Sequence, residues 1–222
     1  MKREGRDLAH LVVASADKPA FESRLSLERL KPGDLPVETT ALARALLGCV
    51  LVRESDEGLT AGRIVETEAY LPGDPACHAF SGKSLRNATL FGPPHRAYVY
   101  LIYGTSFCFN LSSEREGEGA GVLVRALEPI AGLDIMSKRR ATTKVRDLCR
   151  GPGRLCSALD VDRSLEGVDL FTDPRLWLAR GSEVVRARRS TRIGITRGAE
   201  RKLRFYAAGS PYVSGAARLS PA

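Results

Sequence analysis

The segment Arg63-Ile-Val-Glu-Thr-Glu-Ala-Tyr70 constrains the fold more than any other. Apolar and polar residues alternate along it with the period of a β-strand. Side chains two apart share one side of a strand, so Ile64, Glu66, Glu68 and Tyr70 are expected on a common face. Acidic residues are poor strand formers and are costly to bury unpaired. Two of them beside an aromatic ring require solvent, a basic partner or a chemical role.

The rest of the chain reads around that strand. Glu38-Thr39-Thr40 opens an apolar helical pattern through Leu42, Ala45 and Leu46, bracketed by a threonine cap and Gly48. Strands are expected at 49–53 and 60–70, joined by the hairpin signal Ser55-Asp56-Glu57-Gly58. Residues 71–96, rich in Gly and Pro, form a long loop, and loops of that length in a compact domain are usually functional. Strands at 98–103 and 107–112 flank a turn at Gly104. A strand at 121–127 ends at Pro129, and helices follow over 130–140 and, after Gly151-Pro152-Gly153, over 154–159. Later strands fall at 183–189, 191–195 and 203–208. Hairpin strands with helices set apart predict an α+β fold: one domain over 31–222 built on a mainly antiparallel sheet, after a flexible tail at 1–30.

Charge narrows the partners. The net charge is +8, and the basic residues cluster: Lys138 to Arg154 against Asp147 alone, and Arg186 to Arg204 against Glu200 alone. Clustered charge of one sign is what phosphate tracking needs. No apolar run approaches the roughly 20 residues of a membrane span. Lys2 and Arg3 precede Leu11-Val12-Val13, but that apolar stretch is short and His10 interrupts it, so a cytoplasmic location is expected. Five cysteines without CxxC spacing and three histidines argue against a disulfide framework and against a metal site. Neither a metal nor a cofactor is expected.

Three further residues carry alternatives. Tyr103 sits at a hairpin tip, where it either wedges between DNA bases or folds back onto the sheet. Asn110, alternating with Phe109 and Leu111, either reads a base edge with its amide or is a satisfied interior asparagine. Arg125, inside Val122-Leu-Val-Arg-Ala-Leu127, either pairs with the Glu66/Glu68 face or reaches water from an edge strand.

Together the segments RIVETEAY, YVYLIYG followed by FCFN, VLVRALEP, RGPGRLCSAL and LRFYAAGSPYVS resemble the alkyladenine (3-methyladenine) DNA glycosylase family, in the family's order from about residue 38 to 214. The resemblance implies a curved antiparallel sheet flanked by helices, with a protruding β-hairpin that inserts into DNA. It implies a monofunctional glycosylase that flips out and hydrolytically excises alkylated or deaminated purines from double-stranded DNA. In that scheme Glu68 activates water, helped by Arg125 and the backbone carbonyl of Ile193. Tyr70, His78 and Tyr100 line the pocket and stack on the flipped base, Asn110 rejects ordinary guanine, and Tyr103 intercalates. Strand geometry alone does not choose between Glu66 and Glu68; the family motif favours Glu68. Two departures stand out: the loop over 72–86 is slightly shortened, and Thr105-Ser106 is less bulky than usual.

The chemistry is consistent with those roles. Extruding a base costs a few kcal/mol, and base–aromatic stacking of about 1–3 kcal/mol offsets part of it. Breaking the N-glycosidic bond builds positive charge on the sugar, which a carboxylate stabilises. No lysine occupies these segments, so no Schiff-base lyase step is expected. A monomer is expected, because one lesion needs one pocket. The competing reading is a nucleic-acid-binding module without catalysis; a more distant one is an RNA-binding domain related to formyltransferase tails.

Overall fold

In the computed structural model, which describes residues 27–182 and 184–215, one long strand organises everything else. β2 (Gly58–Tyr70) follows β1 (Val50–Ser55) through the expected hairpin, with Ser55 opposite Gly58. On one side β2 pairs along its length with β5 (Gly121–Ala131). On the other it pairs first with β1 and then, over Glu66–Glu68, with β8 (Arg204–Ala207). β3 (Ala97–Ile102) and β4 (Ser106–Ser112) extend the sheet beyond β5, β6 (Leu176–Ala179) extends it beyond β1, and β7 (Ala187–Ser190) pairs with β8. Every named pairing is antiparallel. The result is a single α+β domain on a curved antiparallel sheet.

Among the described residues, four α-helices accompany the sheet: α1 (Thr39–Ala45), α2 (Leu133–Arg140), α3 (Val145–Leu148) and α4 (Pro152–Leu159). The main core joins Leu42 and Leu46 at α1 and Leu155 and Leu159 of α4 to Ile64, Ala69, Val99, Phe109, Val122, Val124 and Phe205 of the sheet. Each buried aliphatic side chain there contributes about 1.5–3 kcal/mol of transfer free energy.

Several expectations are corrected. The cap of α1 is Glu38, whose carboxylate accepts from the amides of Thr40 and Ala41 at 2.8 and 2.5 Å. The Thr39 hydroxyl is taken by Glu114 at 2.5 Å and by Ser113 at 2.9 Å. β5 runs through Pro129, which sits opposite Gly62 at a register shift, where a missing amide is tolerated. Residues 191–195 are not a strand, because their polar groups turn to side chains of β2 and the following loop. β6 went unpredicted. Most of the expected tail lies outside the described residues, as does Glu183 of the expected strand at 183–189. Within the described part Arg29 bridges to Ala179, and the Leu30 amide donates to the Leu178 carbonyl at 2.9 Å.

The most consequential correction concerns the faces of β2. Ile64 pairs with Leu127, Glu66 with Ala126 and Thr67 with Val124. Val65 is therefore extra on β2, and Arg125 is extra on β5. Each bulge flips the alternation of its strand. Ile64 consequently lies in the main core with Ala69, on the opposite face from Glu66, Glu68 and Tyr70. The compensating bulge sends Leu127 into the core and Ala126 to the opposite face, while Arg125, next to core Val124, lies on the side of the two carboxylates by ordinary alternation.

Candidate active site

The face opposite the core carries a hydrogen-bonded charge cluster in the middle of the sheet. Glu66 is fully buried. Its Oε1 accepts from Arg125 Nε at 3.1 Å, from Arg204 Nε at 2.6 Å and from Ser214 Oγ at 3.0 Å, and its Oε2 accepts from the Ser214 amide at 2.6 Å. Glu68 is fully buried too, but holds fewer partners. Its Oε2 accepts from Tyr70 Oη at 2.9 Å and Arg125 Nη1 at 3.2 Å, and its Oε1 accepts from the Ile193 amide at 2.8 Å. Two carboxylates thus meet two guanidinium groups, which is how buried charge is tolerated. Glu66 takes four donors and Glu68 three, and Glu68 Oε1, with one donor, has an acceptor site left.

The proton states follow from these surroundings. Burial alone would lower the Arg125 pKa, but the charges of Glu68 and then Glu66 outweigh it and raise it. Burial, reinforced by the negative Glu68, pushes the Tyr70 phenol far up, so Tyr70 remains a donor to Glu68. Burial likewise raises Tyr100 well above the ordinary phenol range and Tyr98 to about 12. The His78 imidazole is lowered, by burial first and by Arg86 second, and is neutral at neutral pH.

Above this cluster opens a cavity of about 560 Å³, within the range of small-molecule sites. Tyr70, His78, Tyr98, Tyr100, Asn110, Arg125 and Ile193 line it, and Tyr103 stands at its rim. Glu68 lies just beneath, and its three donors, Tyr70, Arg125 and Ile193, form part of the wall. His78 Nδ1 hydrogen-bonds Tyr98 Oη at 2.9 Å, and its ring meets Tyr100 edge-on with 4.4 Å between centroids. The loop that carries His78 is pinned by Asn87, whose Nδ2 donates to the carbonyls of His78 and Gly82 at 2.9 and 3.0 Å. Asn110 does face the cavity, and its Nδ2 donates to the Tyr98 carbonyl at 3.0 Å across the β3–β4 pair.

The β3–β4 hairpin projects past this cavity. Ile102 pairs with Ser106, and the Thr105 amide returns to the Ile102 carbonyl at 3.3 Å. Both tip residues are left-handed, Tyr103 with φ of 53° and Gly104 with φ of 69°. Gly104 adopts this without penalty, whereas for tyrosine it is an unfavourable conformation. The Tyr103 ring is 89% exposed, so the alternative that it folds back onto the sheet is wrong.

All the site residues named from the sequence therefore converge on one side of the sheet, whereas Ile64 lies on the other. One contact is additional to those expected: the Ile193 amide donates to Glu68 Oε1. The basic clusters also need correction, because Arg192 and Arg204 are buried in ion pairs with Asp74 and Glu66 and are not exposed to phosphates. Residues unforeseen from the sequence include Arg204, Ser214, Asp74 and Arg192. Arg204 had a signal, since an arginine in the apolar run Leu203-Arg-Phe-Tyr206 raises the same pairing question as Arg125.

The sequence model of the family described as methylpurine-DNA glycosylase matches residues 34–211. The chain belongs to the methylpurine-DNA glycosylase family. Membership makes it an N-glycosyl hydrolase of the DNA glycosylase class, with a place in DNA repair. Relatives agree. A Mesorhizobium japonicum protein named "Putative 3-methyladenine DNA glycosylase" is 50% identical over 208 residues, 93% of this chain and 96% of its own length. Proteins of the same name from Paraburkholderia phytofirmans and Rubrobacter xylanophilus are 46% and 51% identical, over 84% and 74% of this chain and 88% and 86% of their own lengths. Among the described residues, no helix is long and apolar enough to cross a membrane.

Proposed function

We propose that this glycosylase hydrolyses the N-glycosyl bond of alkylated or deaminated purines, of the 3-methyladenine, 7-methylguanine, hypoxanthine and ethenoadenine class, after flipping them out of double-stranded DNA. The observation that carries the reading is the placement of Glu68: a carboxylate buried under an aromatic-walled cavity, anchored by Tyr70, Arg125 and Ile193, with one acceptor site open on Oε1.

Glu68 accepts a proton from water at Oε1 as that water attacks C1′ of the deoxyribose, and the purine departs with the bonding electrons. Positive charge that builds on the sugar is met by the same carboxylate. Tyr70 and Arg125 occupy Oε2, which leaves Oε1 as the working oxygen. The Ile193 carbonyl orients the water while its amide holds the carboxylate. The purine stacks among Tyr70, His78 and Tyr100, and the electron-rich rings favour cationic methylpurines. Neutral His78, tied to Tyr98, presents its Nε2 to the lesion nucleotide without adding charge. Asn110, its amide fixed by Tyr98, stands where ordinary guanine is rejected. Tyr103 fills the vacated stack. Among the described residues no lysine lines the cavity, which supports simple hydrolysis over a Schiff-base route.

A binding module without catalysis needs no open carboxylate acceptor beneath its cavity, because negative charge there opposes a polyanion. The test is incubation of the purified chain with duplexes carrying each lesion in turn, then alkaline cleavage of abasic sites. Strand breaks at the lesion, and none in undamaged duplex, are expected. Absence of breaks across the whole panel contradicts the proposal.

A further inference from the structure

We propose that Arg192 is a positioning residue for hydrolysis, its buried ion pair with Asp74 locking two loops together so that the Ile193 amide and the Tyr70 hydroxyl stay on Glu68. The inference rests on the role assigned above to Glu68.

Arg192 and Asp74 are separated by 118 positions, and both side chains are wholly buried. They meet fork to fork, Nη1 on Oδ2 at 2.5 Å and Nη2 on Oδ1 at 3.1 Å. Nη1 also donates to the Ala69 carbonyl at 3.1 Å, between Glu68 and Tyr70 on β2, and Nη2 donates to the Gly198 carbonyl at 3.3 Å. The guanidinium carbon lies 4.7 Å from the centroid of the Tyr70 ring. One side chain thus touches the loop after β2, the backbone beside Glu68, the loop after residue 192 and the ring that donates to Glu68. Asp74 is itself fixed, its Oδ1 accepting from the Ala76 amide at 3.0 Å.

The next residue decides the matter. The peptide amide of Ile193 follows directly on Arg192 and donates to Glu68 Oε1 at 2.8 Å. A planar fork fixes the direction of the arginine stem as well as its distance, and a bidentate pair is directional where a lysine ammonium is a point charge. Among the described residues, Arg192 Nε is buried with no hydrogen-bond partner, and all four contacts of the guanidinium are made by Nη1 and Nη2. Buried ion pairs are often no more stabilising than well-packed apolar pairs of similar volume. Two loops alone could be held by such an apolar pair; the orientation of an amide on a carboxylate could not.

The experiment uses the full chain and a duplex with one hypoxanthine. Single-turnover excision rate, lesion-duplex Kd and melting temperature are measured for wild type, Arg192→Lys, Asp74→Asn, the double variant Arg192→Met with Asp74→Leu, and Glu68→Gln. Arg192→Lys and Asp74→Asn are expected to slow excision at least tenfold while Kd changes less than threefold. The apolar double variant is expected to melt as wild type does and still excise at least tenfold more slowly. Rates within twofold of wild type in Arg192→Lys, rate and affinity falling in proportion, or a double variant that regains both stability and rate would each overturn the inference. Excision that persists undiminished in Glu68→Gln overturns instead the role of Glu68, and this inference with it.

Discussion

Replacing Tyr103 by asparagine is predicted to move stability and DNA affinity in opposite directions. The ring is 89% exposed in the free protein, so removing it loses almost no packing. Its backbone has a φ of 53°, where a residue with a bulky side chain is disfavoured by about 1–2 kcal/mol and asparagine is tolerated. An asparagine directly before Gly104 would also make a preferred pair for a tight hairpin whose two central residues both have positive φ. The variant should therefore gain about 1 kcal/mol, or about 2–4 °C in melting temperature for a domain of this size. On DNA it loses a stacking partner worth about 1–3 kcal/mol, which weakens Kd for a hypoxanthine duplex by about 5- to 150-fold. Thermal melting without DNA and fluorescence anisotropy with it measure the two effects. Tyr103→Phe keeps ring and backbone and should change neither by more than about 0.5 kcal/mol. An asparagine variant that is destabilised, or that binds lesion DNA like wild type, refutes the reasoning.

Two other expectations concern the buried polar groups. Glu66→Gln leaves Arg125 and Arg204 without their shared counter-charge and should lower unfolding free energy by about 3–5 kcal/mol in urea titrations; a loss under about 1 kcal/mol would show that the cluster does not depend on Glu66. Burial lowers the imidazole pKa of both His78 and His95 from the ordinary 6.5, so both are neutral in the fold and must be charged only below that value. Their stabilising contribution is present above pH 6.5 and is lost as pH falls through the lower folded-state values. Proton NMR should find both midpoints below 6.5; a midpoint at or above 6.5 for His78 contradicts the partly buried, Arg86-facing environment.

The parts of this protein that were legible in its sequence are those with a simple period or a distinctive motif. The alternation of 63–70 and of 98–112 announced β2, β3 and β4, and the motif order pointed to the site residues that the fold brings together. What stayed hidden was anything that depends on a single-residue slip or on backbone. A bulge at Val65 leaves no mark on the alternation, yet it sends Ile64 into the core and leaves the carboxylates on the other face. Its counterpart on β5 is equally silent, and sends Leu127 rather than Ala126 into the core while Arg125 stays on the side of both acids. The amide of Ile193 carries no side-chain identity, so only coordinates reveal it on Glu68. Asp74 and Arg192 are too far apart in the chain for their pairing to be read, and four-residue strands such as β6 are too short to show a period. Thr39 looked like a cap because threonine commonly is one; Glu114, distant in sequence, claims its hydroxyl instead.

The central claim is that the Glu68 carboxylate performs the hydrolytic step, and the most direct measurement is single-turnover excision of hypoxanthine by Glu68→Gln beside wild type, with lesion-duplex Kd measured on the same samples. The amide retains the size of the side chain but does not take a proton from water. Release of the base should fall by at least about 100-fold, the lower range of general-base contributions, while the duplex stays bound with comparable affinity. Excision by the glutamine variant at the wild-type rate would contradict the account.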